Sequence, residues 1–271
     1  MSVNELCKQL NQALNNYIRP ATFPIAVKIS EKQEKISFRY RSPQKYFGHR
    51  LAICQGITIA RRYGWTLGFS QQDEACPLAQ IIFGYVEEPN FIKNGRLSCP
   101  LNTADLGAAA RLHASIVKMP NADTKAVFFA PLHKAEFIPD IVMVYGNPAQ
   151  IYRLIASALY ERGGHLKSRF TGHCSCSAEI VVPYIEDRYN IVLPDSGEKF
   201  FGFADDYEMV FSIPRSKIED LTRGIEHLSA SLEKLSSSFE KYIMTAGASF
   251  LNSYISIKWD KLMDIFNWND L

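Results

Sequence analysis

No Cys-x-x-Cys pair occurs in these 271 residues, which excludes the compact ferredoxin run and the zinc knuckle. Gly-x-Gly-x-x-Gly, Gly-x4-Gly-Lys-Ser, Gly-x-Ser-x-Gly and His-Glu-x-x-His are missing too. Their absence removes the easily recognised nucleotide-binding, serine-hydrolase and metalloprotease classes. The chain has no apolar run of about eighteen residues, and Met-Ser-Val-Asn-Glu-Leu-Cys at its start has neither the charged beginning nor the apolar centre of a secretory signal. A cytoplasmic protein without membrane attachment is expected. An excess of one charge is also lacking: 30 basic residues against 28 acidic ones leave +2, so nothing argues for nucleic acid or another polyanion as partner.

What is present is an ordinary globular composition, 47% hydrophobic, 21% charged and 12% aromatic, with length enough for one large domain or two small ones. Six cysteines in a reducing compartment are expected to be free thiols, so metal ligation or plain burial has to account for them. Leu6, Leu10, Leu14 and Tyr17 keep the spacing of an amphipathic helix, and an N-terminal helix is expected over residues 1–22. Phe23 to Ile29, Ala126 to Ala130, Ile138 to Tyr145, Asn190 to Leu193 and Glu208 to Ile213 read as strands, and Ala178 to Val182 is apolar and β-branched. Helical patterns open at Ser42-Pro43, ending at Gly64, and at Asp105, Asn147-Pro148 and Ser216. Gln80 to Val86 suits either state, and Pro194-Asp-Ser-Gly197 reads as a turn. The aromatic amphipathic stretch 236–271 is expected to pack on the body or to join two copies of the chain, membrane-surface attachment being the minor alternative.

Several segments match in pairs and in the same order. Phe23-Pro-Ile-Ala-Val parallels Ile138-Pro-Asp-Ile-Val, Ser42-Pro-Gln parallels Asn147-Pro-Ala-Gln, and the strand before Pro131 parallels the strand before Pro214. Arg62-Tyr-Gly64 leading through Phe69 to Cys76 parallels Arg162-Gly-Gly164 leading through Phe170 to Cys174-Ser-Cys176. An internal duplication follows: a first unit over 23–137, carrying an insertion that contains Cys99, and a second over 138–235. The expected architecture is α/β or α+β, two fused, pseudo-symmetric βα units sharing a cleft, with N- and C-terminal helices.

Pro24-Ile-Ala-Val-Lys28, Cys54 with Ala60-Arg61 and Gly64, Cys76, Pro139-Asp-Ile-Val142, Asn147-Pro-Ala-Gln150, Cys174-Ser-Cys176, Leu193-Pro-Asp-Ser-Gly197 and Asp206-Tyr-Glu208 through Pro214 resemble, in this order, the bacterial and archaeal family called domain of unknown function 169. The likeness spans about Pro24 to His227. It implies no reaction. The family's cysteine pattern is similar to Cys54, Cys76 and one of Cys174 or Cys176, and Cys99 has no place in it.

If the two units pack about a twofold axis, Cys76 can face Cys174 or Cys176, with Cys54 and the Cys99 loop approaching the same centre. Four thiolates from separated loops suit an iron-sulfur cluster or zinc, and Cys76-Pro77 and Cys99-Pro100 are similar to a cluster-ligand context. Arg61, Arg169 and His173 are candidate ligand-binding residues, although for Arg61-Arg62 the favoured role is with the dipole of the helix end they occupy. Asp205-Asp206-Glu208 reads as a solvated turn. The leading expectation is a metal-thiolate protein, iron-sulfur first and zinc second, working with a small molecule or a redox partner; an enzyme here would be an oxidoreductase. One alternative is a metal-free ligand-binding or accessory module with buried cysteines, the expected fate of Cys7. Another is an enzyme with Cys174 or Cys176 as nucleophile, His173 or His165 as base and Arg169 lowering the thiol pKa.

Overall fold

The computed structural model describes residues 3–31, 33–120 and 124–231. Met1–Ile225 form one compact unit; Glu226–Leu271 form a second, of which residues 226–231 are described and are helical. The expected aromatic tail over 236–271 lies outside the described residues.

The first unit is built on one six-stranded sheet: β1 (Ile25–Glu31), β2 (Leu67–Phe69), β3 (Thr124–Pro131), β4 (Ile141–Gly146), β5 (Asn190–Val192) and β6 (Met209–Pro214). Their order is β2-β3-β1-β4-β6-β5, and every neighbouring pair is antiparallel. The fold is therefore mixed α and β on an antiparallel sheet, without the parallel crossovers of a βαβ protein. Side chains alternate between faces. Ile25, Val27, Ile29, Val127, Phe129, Ile141, Met143 and Tyr145 enter one core, whereas Ala26, Phe128, Val142, Val144, Phe211 and Ile213 enter another on the opposite face.

Helices cover both faces. On the second face lie α1 (Val3–Ala13), with its π-helical continuation Leu14–Ile18, α7 (Pro148–Leu159) and the helix over residues 218–231 as far as Ile225. Asn147 starts α7 by accepting the Gln150 amide N–H at 3.0 Å, while the Gln150 side chain accepts from the Asn147 N–H at 2.9 Å. The helical pattern after Ser42-Pro43 divides at Gly48 into α2 (Pro43–Phe47) and α3 (Ile53–Tyr63). The first face carries α3, α4 (Pro77–Ile82), the π-helical turn Ser177–Val181 and α8 (Val182–Glu186), the turn contributing Ala178, Ile180 and Val181 to the core. Short α5 (Asn90–Lys93), α6 (Leu106–Ser115) and α9 (Ser196–Gly202) complete the unit, α6 being capped by Asp105, which accepts from Ala108 N at 2.7 Å.

Two expectations change here. The β-branched stretch 178–182 is helical, because Ile180 and Val181 pack down onto the sheet and Asn190 binds the Ala178 carbonyl. Pro194-Asp-Ser-Gly197 is a helix start: Asp195 accepts from Glu198 N at 2.8 Å and caps α9.

Candidate functional site

Four of the six cysteines meet at one cavity on the α3 side of the sheet. Cys54 stands in the first turn of α3, where Gln55 accepts from the Ala52 N–H at 2.8 Å and fixes the helix entry. Cys76 is the residue before α4, followed by Pro77 at a position where a helix needs no amide hydrogen. Cys174 and Cys176 flank Ser175 just before the π-helical turn. The cavity, of about 540 Å3 and predominantly apolar, is lined by residues 52–55 and 75–79 on one side and by 173–176, Asp195, Gly197, Glu198 and Phe201 on the other. Both expected repeat units thus contribute walls.

Cys174 holds φ at +62°, a left-handed conformation that costs a non-glycine residue energy and recurs at functional sites. Two hydrogen bonds to the α9 start hold the residue after it: Ser175 N donates to Asp195 Oδ2 at 3.0 Å and Ser175 Oγ to Glu198 Oε2 at 2.7 Å. At the other end of α9, a Cβ on Gly202 would stand 3.0 Å from the Cys54 carbonyl oxygen and 3.1 Å from Cys54 Cβ. Thr58 Oγ1 donates to the Gly202 carbonyl. The seven residues of α9 therefore touch Cys54 at one end and the Cys174-Ser-Cys176 turn at the other.

Below the cavity runs a buried polar chain. Tyr145 of β4 donates to Glu198 Oε1, and its hydroxyl lies 3.4 Å from Glu179 Oε2. Glu179 Oε1 has no hydrogen-bond partner among the described residues. Burial, then the neighbouring Glu198, holds the Glu179 carboxyl well above the usual carboxylate range. Arg61 stacks on the Tyr145 ring at 4.1 Å and donates to Glu208 through both terminal guanidinium nitrogens at 2.6 and 2.9 Å.

The electrostatics keep the cavity thiols protonated. Burial is the first cause of a raised thiol pKa at Cys54, Cys76, Cys174 and Cys176. A charge on Cys76 adds to the rise at the other three. Glu74, whose Oε1 accepts from Cys76 N at 2.7 Å, is pushed up by burial to about 8.

The remaining sequence candidates are elsewhere or play other parts. Cys99 sits in a turn, joined by a cis peptide to Pro100, and is not among the cavity-lining residues. Cys7 is a buried member of the α1 core. Arg61 is 1% exposed, a core ion pair rather than a helix-end charge, and Glu208 is buried with it rather than part of a solvated turn. Arg169 pairs with Glu186 at 3.0 Å, away from the cavity wall. His173 does line the cavity, with its Nδ1 buried and unpartnered among the described residues and its ring 6.5 Å from that of His113. His165 borders a separate surface hollow. Sequence reasoning missed Ser175, Asp195 and Glu198; the Asp-Ser-Gly-Glu string is a helix-start signal that could have found the last two.

Among the described residues no three His, Cys, Asp or Glu side chains converge closely enough to hold a metal ion. A single zinc ion demands that convergence, since each sulfur must come within about 2.3 Å of it.

Among the described residues no helix is long and apolar enough to cross a membrane. The chain is 25% identical over 228 residues to the uncharacterized protein MJ0308 of Methanocaldococcus jannaschii, a match covering 83% of this chain and 96% of that one. No solved structure matches it. The model of DUF169, a family described as uncharacterised ArCR, matches residues 13–224, and with its cysteine-walled cavity inside that span the chain belongs to this family.

Proposed function

We propose that the cavity is an iron-sulfur site, with Cys54, Cys76, Cys174 and Cys176 as the thiolates, in a protein that acts inside the cell with a redox partner or a small molecule. The observation that carries this reading is that cysteines from separate stretches of chain line one apolar cavity. Bound there, a cluster supplies one-electron transfer or an iron that polarises a small molecule. The protein's own contribution is an apolar wall that includes Ile53, Leu78 and Ala79, and thiols whose raised pKa keeps them protonated until a metal displaces the proton. Loading is therefore accompanied by proton release. Cys99 is left out of the ligand set, and zinc is the lesser metal for the reason of geometry given above.

Anaerobic purification followed by a visible spectrum and iron and sulfide analysis tests the reading. Brown protein with near-stoichiometric iron is expected, as is a sharp loss of iron in Cys76→Ser and Cys176→Ser. Colourless, iron-free wild type after reconstitution sinks it. The raised thiol pKa values and apolar walls favour one second reading: a metal-free pocket for a small apolar ligand, for which cysteine substitutions would leave ligand binding intact.

The strand order also supports a duplication in which β1, β2 and β3 correspond to β4, β5 and β6. In this pairing α3 matches residues 177–186, each preceding a short edge strand, and Cys76 matches Asp195, each starting the helix after that strand. Such a pairing would replace the correspondence of Cys76 with Cys174 or Cys176, since α3 and α7 lie on opposite faces of the sheet. An experimental structure whose halves superpose with α3 on α7 would overturn it.

A further inference from the structure

Ser175 is 5% exposed, yet neither its amide nor its hydroxyl is spent on its own turn. Both reach α9: the amide to Asp195 at 3.0 Å, the hydroxyl to Glu198 at 2.7 Å. Asp195 in turn caps the Glu198 amide at 2.8 Å. The Glu198 carboxyl, 4% exposed and facing the cavity, also accepts from Tyr145, a fully buried residue of the sheet centre. The turn so held carries cysteines on either side and includes the left-handed Cys174, a conformation that persists only where its surroundings over-determine it.

We propose that Glu198 is the positioning residue of the thiol cavity, tying the Cys174-Ser-Cys176 turn to Tyr145 of β4 and so fixing where those two sulfurs stand relative to Cys54. This deepens the iron-sulfur reading and rests on the same cavity, but its test begins on the metal-free chain. A carboxyl suits the task because its two oxygens accept from two hydroxyls at once, one on the sheet and one on the turn. The same short helix abuts Cys54 through Gly202, so one rigid piece sets the span between donors on opposite walls.

Full-length wild type, Glu198→Ala and Glu198→Gln are compared without metal by the rate at which N-ethylmaleimide modifies each cysteine, read by peptide mass spectrometry. Glu198→Ala is expected to speed modification of Cys174 and Cys176 about tenfold, the signature of more frequent local opening, with Cys7 unchanged. Glu198→Gln keeps an oxygen to accept from Ser175 and is expected to stay within about twofold of wild type. After reconstitution with ferrous iron and sulfide and reduction with dithionite, the alanine variant should show an altered electron paramagnetic resonance line shape that the glutamine variant restores. Ser175→Ala, which removes the other half of the contact, should reproduce the labelling result and serves if Glu198→Ala does not fold. Equal labelling in all variants, or acceleration at Cys7 as large as at Cys174, overturns the proposal. The labelling can fail while iron binding stands, and it can succeed on a chain that binds no iron.

Discussion

Among the described residues Arg61 is one of the largest side chains withdrawn from solvent, and its salt-bridge partner among them is Glu208. Breaking such a pair leaves an uncompensated buried charge, which costs about 3–5 kcal/mol, whereas replacing both partners by apolar groups of similar volume is often neutral. Arg61→Ala is therefore expected to lower unfolding free energy by about 3–5 kcal/mol in urea titrations. Arg61→Met combined with Glu208→Leu should recover most of the loss. Glu179 offers a second test. Its carboxyl is neutral in the fold to higher pH than in the unfolded chain, where its ordinary value is 4.5. Above that pH the unfolded state releases a proton that the folded state retains, so the contribution of Glu179 is full below 4.5 and declines as pH rises toward the folded value. Glu179→Gln should flatten the fall of Tm above pH 4.5. An unchanged slope would mean that Glu179 ionises normally in the fold.

The elements show where sequence pattern is a sufficient guide. β1, β3, β4 and β6 are legible because β-branched and aromatic residues alternate between two cores, and α7 because Asn147, Pro148 and Gln150 form a cap. The segment 177–186 misleads for the same reason: Ile180, Val181 and Val182 favour a strand, and only their packing on the sheet makes them helical. Helix α9 is obscured by a Pro-Asp-Ser-Gly string that suits a turn and a cap equally, and with it the sequence hides Glu198. The sequence expects Cys54, Cys76, Cys174 and Cys176 at one centre, and they do line one cavity. That expectation rests, however, on matching Cys76 with Cys174 or Cys176, which the strand order does not support, and the exclusion of Cys99 depends on where its loop runs. Close approach of elements has its own test. On Gly224, in the helix over residues 218–231, a Cβ would lie 2.0 Å from the Ser157 carbonyl oxygen of α7. That contact involves backbone on both sides, so Gly224→Ala must separate the two helices and should cost about 1–3 kcal/mol by thermal or urea unfolding.

At the scale of the molecule, the cavity is assembled from two stretches, 52–79 and 173–201, that are nearly a hundred residues apart in the chain. A ligand held by both stabilises them together. Iron loading is accordingly expected to slow amide hydrogen exchange in the two stretches at once, measured by mass spectrometry, and protection confined to one would show that the other supplies no ligand. The junction between the two sides of the sheet has a consequence for the order of events in the cell. β1 joins β4 through three residue pairs, against seven with β3, and that seam must close before the walls of the cavity face each other. Contacts so distant in sequence form late, after loop-closure entropy has been met. A partly synthesised chain that ends before Cys174 has half a cavity, so a metal taken by the proposed site is expected to arrive after translation, in a finished fold whose thiols still carry their protons.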